Sequence, residues 1–264
     1  MAKKFYVVWQ GRTPGIYTDW DSCKKQVDKF AGAKYKSFPS LAEAEQAFVG
    51  THSTSGAKKS ATVKKATAQS ATKPNTIKTY TAAEIAKMSL DIKIFTDGGC
   101  DPNPGQAGSG MAVYRTVDGN EQIAELWYGL YNPMGTNNTA ELNALHQALM
   151  MAQIESNKSR SVAIFCDSKY AIQCVTQWAI GWQKKGWKKA GGEIKNLELI
   201  KEMFALHQQL KDKIQVLHVN GHVGVEGNEL ADRMSMLAIA EKESHFARYP
   251  HEIDVAEILK MQAG

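Results

Sequence analysis

Long apolar runs are missing from this 264-residue chain. No stretch approaches the roughly 20 consecutive apolar residues that span a bilayer. The opening MAKKFYVVWQ has no apolar segment of the kind a secretory leader carries. Cysteine is scarce: Cys23, Cys100, Cys166 and Cys174 show neither CxxC pairing nor small-domain density. That excludes a disulfide-stapled framework and points to a reducing compartment. The expectation is a cytoplasmic protein without membrane attachment. Residues 51–80 lack acidic side chains altogether and hold 6 lysines. Their sequence, beginning THSTSGAKKSATVKKATAQS, is also nearly free of large apolar residues, so it cannot bury enough surface to offset its ordering entropy. It reads as a flexible basic linker between two units.

What is present is ample apolar material, 43% of the chain, and an uneven charge. Residues 1–50 carry 8 Lys/Arg against 5 Asp/Glu, whereas residues 81–264 carry 18 against 22, so the net +5 is N-terminal in origin. A basic end of this kind suits a polyanionic partner.

Residues 3–50 read as a small ββαβα unit. KFYVVW, IYTDW and AKYKSF are strands, SCKKQVDKF is a helix capped by Asp21, and SLAEAEQAFVG is a second helix with a capping box from Ser40 to Glu43. Residues 90–242 read as an α/β unit, a five-stranded mixed sheet flanked by helices. DIKIFTDG, SGMAVYRTV and EQIAELWYGL form three successive strands. Later strands, SVAIFCD and IQVLHVN, alternate with helices. Residues 243–264 form a tail of unknown role with one short helical pattern, DVAEILKMQ.

Four acids stand at junctions of these elements. Asp97 ends an apolar strand, Glu141 sits in the first turn of a helix, Asp167 closes SVAIFCD, and Asp232 lies in the opening turns of the last helix. Ligands of open α/β sheets bind at the carboxyl ends of strands. Converging carboxylates there raise one another's pKa or recruit hard cations. The spacing suggests a two-metal phosphodiester site. Taken one at a time, an acid is more often a helix cap or a solvated charge, and Asp97 resists that reading because of its apolar flank. Glu141 in particular suits a helix N-terminus.

The motifs FTDGGCDPNPG, TNNTAEL, FCDSKYAI and GHVGVEGNELADR, with QWAIGWQKKGWKKAGGEIKNLEL between the last two, resemble in order those of type 1 ribonuclease H. The N-terminal KFYVVWQGRTPGIYTDWDSCKKQVDKFAGAKYKSF is similar to the hybrid-binding domain attached to many of these enzymes. The resemblance implies endonucleolytic hydrolysis of the RNA strand of RNA–DNA hybrids, giving 5′-phosphate and 3′-hydroxyl ends. It implies two Mg²⁺ per site, with Mn²⁺ as a substitute, held by Asp97, Glu141, Asp167 and Asp232. By the same match His222 serves proton transfer or product release. Asn103, Asn137 and Gln147 would contact the minor groove, and Thr136 and Asn138 the DNA strand. Lys184, Lys185 and Lys188 would contact phosphates, and Trp187 belongs to the same tract. Its tryptophans, Trp178 included, are read mainly as core. In the N-terminal unit Tyr6, Trp20, Tyr35 and Lys36 would dock on the hybrid, with weaker binding of double-stranded RNA. Ser37 stands where relatives carry a further lysine. No obligate protein partner is indicated. Two alternatives stay open: a non-catalytic hybrid-binding protein, and another nuclease or polynucleotidyl transferase of the same fold.

Overall fold

The computed structural model describes residues 5–13, 15–28, 30, 32–38, 77–189, 191–221 and 224–264. The chain divides into two units, Met1–Ala71 and Thr72–Gly264. In the first, β1 (Phe5–Gln10), β2 (Gly15–Tyr17) and β3 (Lys34–Phe38) make a three-stranded antiparallel sheet in the order β2-β1-β3. Helix α1 (Trp20–Val27) closes a small core of Val8, Cys23 and Val27. Its cap is Asp19, which accepts from the Ser22 backbone N–H at 2.8 Å, not Asp21, which lies within the first turn. Both acids have the right chemistry, and the extended backbone at Asp19 decides between them. The helix expected over residues 40–50 lies outside the described residues.

The second unit opens with β4 (Thr79–Tyr80) and α2 (Ala82–Ala86), then β5 (Ile92–Asp101), β6 (Gly105–Val117) and β7 (Asn120–Gly135). Next come α3 (Asn137–Asn157), β8 (Val162–Cys166) and α4 (Lys169–Gln173). A π-helical turn, Cys174–Trp178, leads into α5 (Ala179–Lys184). The unit ends with α6 (Leu197–Leu210), β9 (Ile214–Val219), α7 (Glu226–Glu241), β10 (Ala247–Arg248) and α8 (Val255–Ile258). Among the described residues the sheet has seven strands, ordered β10-β7-β6-β5-β8-β9-β4. The five expected strands form its body. The two extra edge strands are two residues long, one from the end of the stretch read as linker and one from the stretch read as tail. Neither carries an alternating pattern long enough to announce itself.

Strand alternation sorts the core into two layers. Ile92 and Ile94 of β5, Met111 and Val113 of β6, and Val162 and Ile164 of β8 meet Leu142, Leu145 and Leu149 of α3. Their neighbours Phe95, Ala112, Ala163 and Phe165 meet Leu230, Ala231 and Met234 of α7 on the other face. Each Val, Leu, Ile, Met or Phe among them removed from water is worth about 1.5–3 kcal/mol. Lys93 breaks the apolar pattern of β5. It is satisfied by the Ile85 carbonyl at 2.9 Å and by Glu121 at 2.5 Å.

Helix α3 is anchored at both ends. Thr136 caps its start by accepting from the Thr139 N–H, so Glu141 falls in the second turn, not the first. Near its end the buried Glu155 takes Arg115, Lys158 and Arg160. Burial alone would raise the Glu155 carboxyl, yet these three cations hold it down to about 2. The middle of the approach is set by Gly98, where a Cβ would lie 2.2 Å from the Glu141 nitrogen. Gly98→Ala is therefore expected to cost about 1–3 kcal/mol in urea unfolding. Gly181→Ala, where nothing lies within 4 Å and the backbone is helical, should instead stabilise by about 0.4–1 kcal/mol.

Candidate active site

Register brings the first two acids together. Strands β5 and β8 run parallel with Thr96 opposite Cys166, so Asp97, midway along β5 and not at its end, lies level with Asp167, the first residue beyond β8. Across the other edge of β5, Asp97 pairs with Gly110, where a Cβ would lie 2.0 Å from the Ala231 carbonyl. The missing side chain lets α7 settle on that face with Asp232 beside Asp97. Gly98 does the same for α3 and Glu141 on the opposite face. Two glycines thus let two helices converge on one point of β5.

The cavity so formed, of about 570 Å³, is lined by Asp97, Asn137, Glu141, Asp167, Asp232 and Gln262–Gly264, among others. Asp97 and Glu141 are each 6% exposed. Burial first, and then the charges of Asp167 and Asp232, push the Asp97 carboxyl well above its ordinary range, against one hydrogen bond from the Gly98 N–H at 2.8 Å. Burial, Asp97 and Asp167 push Glu141 up likewise. Its Oε2 is buried and finds no hydrogen-bond partner among the described residues.

Asp167 and Asp232 are held by neighbours. The Asn228 amide donates to Asp167 Oδ2 at 3.1 Å, from a position one helical turn before Asp232 on α7. His218 sits 3.1 Å from the Asp167 carbonyl through Nε2 and 2.8 Å from the Thr79 hydroxyl through Nδ1. Burial keeps this imidazole below its usual pKa. A carbonyl only accepts, so Nε2 carries the proton and Nδ1 accepts from Thr79. Asp232 pairs with the Arg233 guanidinium and accepts from the Gly264 backbone N–H at 3.0 Å. Cys166 Sγ also lies within 4.8 Å of the ligand atoms of Glu141 and Asp167. Its thiol is raised well above its ordinary value by burial and then by Glu141 and Asp167, which keeps it protonated and in the core.

The surrounding residues divide into those at the cavity and those on separate surfaces. Asn103 Oδ1 accepts from the Asn137 N–H at 3.3 Å, joining two expected groove contacts at the cavity rim. Thr136 serves as the helix cap, Asn138 is exposed beside it, and Gln147 is half-buried further along α3. Lys184, Lys185 and Lys188 are exposed. Trp187 packs edge-on against Phe204 at 6.0 Å, with Lys201 over its ring. Trp178, expected in the core, is 38% exposed, because the π turn rotates it outward onto Tyr170. His222 lies outside the described residues. In the N-terminal unit Trp20 joins Tyr6 at 5.5 Å and Tyr35 at 5.8 Å in one aromatic face, and Lys36 lies over Phe38. Sequence reasoning missed Asn228, which its spacing of four residues before Asp232 could have revealed. It also missed Gln262–Gly264, for which no local pattern exists.

A family model described as RNase H matches residues 89–240, and one described as Ribonuclease H1 N-terminal domain matches residues 4–48. Ribonuclease H1 of Mus musculus is 30% identical over 266 residues, covering 88% of this chain and 87% of that protein. Ribonuclease H of Thermosynechococcus vestitus is 39% identical over 140 residues, covering 53% of this chain and 82% of that protein. The crystal structure of LC9-RNase H1 shares the fold at a TM-score of 0.51 and 20% identity, over 67% of this chain and 88% of that one. The chain belongs to the ribonuclease H family of endoribonucleases, with a ribonuclease H1 N-terminal domain ahead of its catalytic domain.

Proposed function

We propose that this chain hydrolyses the RNA strand of RNA–DNA hybrids internally, leaving 5′-phosphate and 3′-hydroxyl ends. The observation that supports the reading is the convergence of Asp97, Glu141, Asp167 and Asp232, with Asp97 and Glu141 buried and raised together. Carboxylates in such a setting are either protonated or matched by cations. The orphaned Glu141 Oε2 and the four carboxylates, with the neighbouring Cys166 thiol kept protonated, fit a hard divalent cation, Mg²⁺ first and Mn²⁺ as a substitute. Bound there, a pair of such ions supplies charge stabilisation to the attacking and leaving oxygens of a phosphodiester displacement. Asp97 would hold both, Asp232 the ion on the water side, and Glu141 and Asp167 the ion on the leaving-group side. His222, ten residues before Asp232, would move a proton or release product.

The chain's other residues supply position. Asn228 fixes the Asp167 carboxylate and His218 its backbone. Asn103, Asn137 and Gln147 would read the minor groove, where the 2′-hydroxyl distinguishes RNA from DNA. Thr136 and Asn138 would contact the DNA strand. Lys184, Lys185 and Lys188 would meet phosphates, with Trp187 securing their loop through Phe204. The aromatic face of Tyr6, Trp20 and Tyr35 would pack on sugars, and Lys36, the next residue along β3, would neutralise phosphate. Together they would bind hybrid ahead of double-stranded RNA and raise the local substrate concentration.

Cleavage of end-labelled RNA in a hybrid should require Mg²⁺, vanish in EDTA, and fall at least about a hundredfold in Asp97→Asn. Tight binding without cutting would identify a binding protein, and cutting of duplex DNA a broader nuclease. The second expectation concerns stability without cations. Because the folded-state pKa of Asp97 is raised, its stabilising contribution is present at low pH and lost as pH rises through that value. Asp97→Asn should therefore raise the urea-unfolding free energy of the EDTA-treated protein at pH 7 by about 0.5–2 kcal/mol, moving the urea midpoint upward. The advantage should disappear at acid pH and shrink in saturating Mg²⁺. Third, Trp20→Ala combined with Tyr35→Ala should weaken hybrid binding by about tenfold or more at unchanged single-turnover rate. Lys36→Ala should flatten the salt dependence of binding by about one counterion.

A further inference from the structure

The segment that follows α7 returns to the acid cluster. It is anchored along the way: Phe246 stacks on Trp127 at 6.0 Å, β10 pairs Ala247 and Arg248 with Tyr128 and Trp127, and Ile258 of α8 is 3% exposed in the core beneath α7. Beyond these anchors Gln262–Gly264 line the cavity yet remain exposed to solvent. The Gly264 backbone N–H donates to both oxygens of Asp232, at 3.0 Å to Oδ1 and 3.3 Å to Oδ2. Arg233 takes Oδ2 as well. A Cβ on Gly264 would lie 2.7 Å from Asp232 Oδ1 and 3.4 Å from Met236 Sδ, so backbone is seated directly against the carboxylate.

We propose that Gln262–Gly264 is a built-in competitor for the divalent cation at Asp232, and that the Gly264 N–H must leave before Asp232 ligates an ion. The proposal rests on Asp232 being a cation ligand. Both oxygens of this carboxylate already accept from donors inside the chain. The N–H dipole turns its positive end toward the space a cation fills, and the two repel at that range. Release is local. The last anchors are Leu259 and Met261, partly buried against the same core as Ile258, so the exposed residues 262–264 lift away without unpacking it. The contact thus holds the acid cluster in a cation-poor state and sets the ion concentration at which the enzyme becomes competent.

The test is calorimetric titration of Mn²⁺ into the full chain without nucleic acid. It is run beside a chain shortened by Gln262–Gly264, Gly264→Ala, which keeps the length but clashes with Asp232, and Asp232→Asn. Binding should tighten in the shortened chain and in Gly264→Ala by about ten- to a hundredfold, the range set by a hydrogen bond to a charged acceptor. In the full chain the Gly264 amide should be protected from hydrogen exchange without cation and lose that protection at saturating Mn²⁺. Unchanged or weaker binding in both tail variants, or an amide still protected at saturation, overturns the proposal alone. Unchanged affinity in Asp232→Asn overturns the reading of the acid as a ligand, and the proposal with it.

Discussion

Mutual repulsion among carboxylates that water barely reaches is the constraint around which the catalytic unit is organised. Asp97 and Glu141 are each 6% exposed and Asp232 is 2% exposed, and their charges bear on one another. The cost of gathering them is carried by the two apolar layers, which grip β5 from both faces. It is offset locally by a few donors: Gly98 N–H on Asp97, Asn228 on Asp167, Arg233 on Asp232. A deficit remains at Glu141 Oε2, where a cation would offset the buried charge.

Convergence on this scale needs backbone proximity that ordinary side chains forbid. Gly98 and Gly110 sit on adjacent strands and yield to different helices, α3 through Glu141 and α7 through Ala231. Strand β5 alone alternates its faces, so it cannot bring both helices to one point by side-chain choice. Holding α3 by its far end, through Glu155 and its three cations, makes the placement of Glu141 a property of the whole helix.

Most of this was legible in the sequence because apolar periodicity is a local signal. The five body strands and the helices of the catalytic unit follow from alternation and from caps such as Thr136. The four acids stood out because Asp97 interrupts an apolar run and the others flank similar junctions. What escaped notice depends on long-range pairing. Thr79 and Tyr80 become a strand only because β9 offers an edge, and His218 becomes a support for Asp167 only once Thr79 is beside it. Trp178 was misjudged because spacings of four and five suit an α-helix, whereas the chain makes a π turn there. Asp21 and Asp19 were indistinguishable as caps until the backbone angles separated them.

The two short edge strands have a consequence for how the molecule behaves in company. An open sheet ends in rows of unsatisfied N–H and C=O groups, which recruit other chains into aggregates. On one margin the segment carrying β10 covers the centre of β7, with hydrogen bonds from Tyr131 to Glu243 and from Tyr249 to Leu126 on either side of the ladder. On the other, β4 covers the end of β9. At the uncovered start of β7, Glu121 and Glu125 are held in ion pairs with Lys93 and Arg115, and charged groups along an edge deter edge-to-edge pairing. The same few residues that finish the sheet therefore favour a catalytic domain that stays dispersed at high concentration.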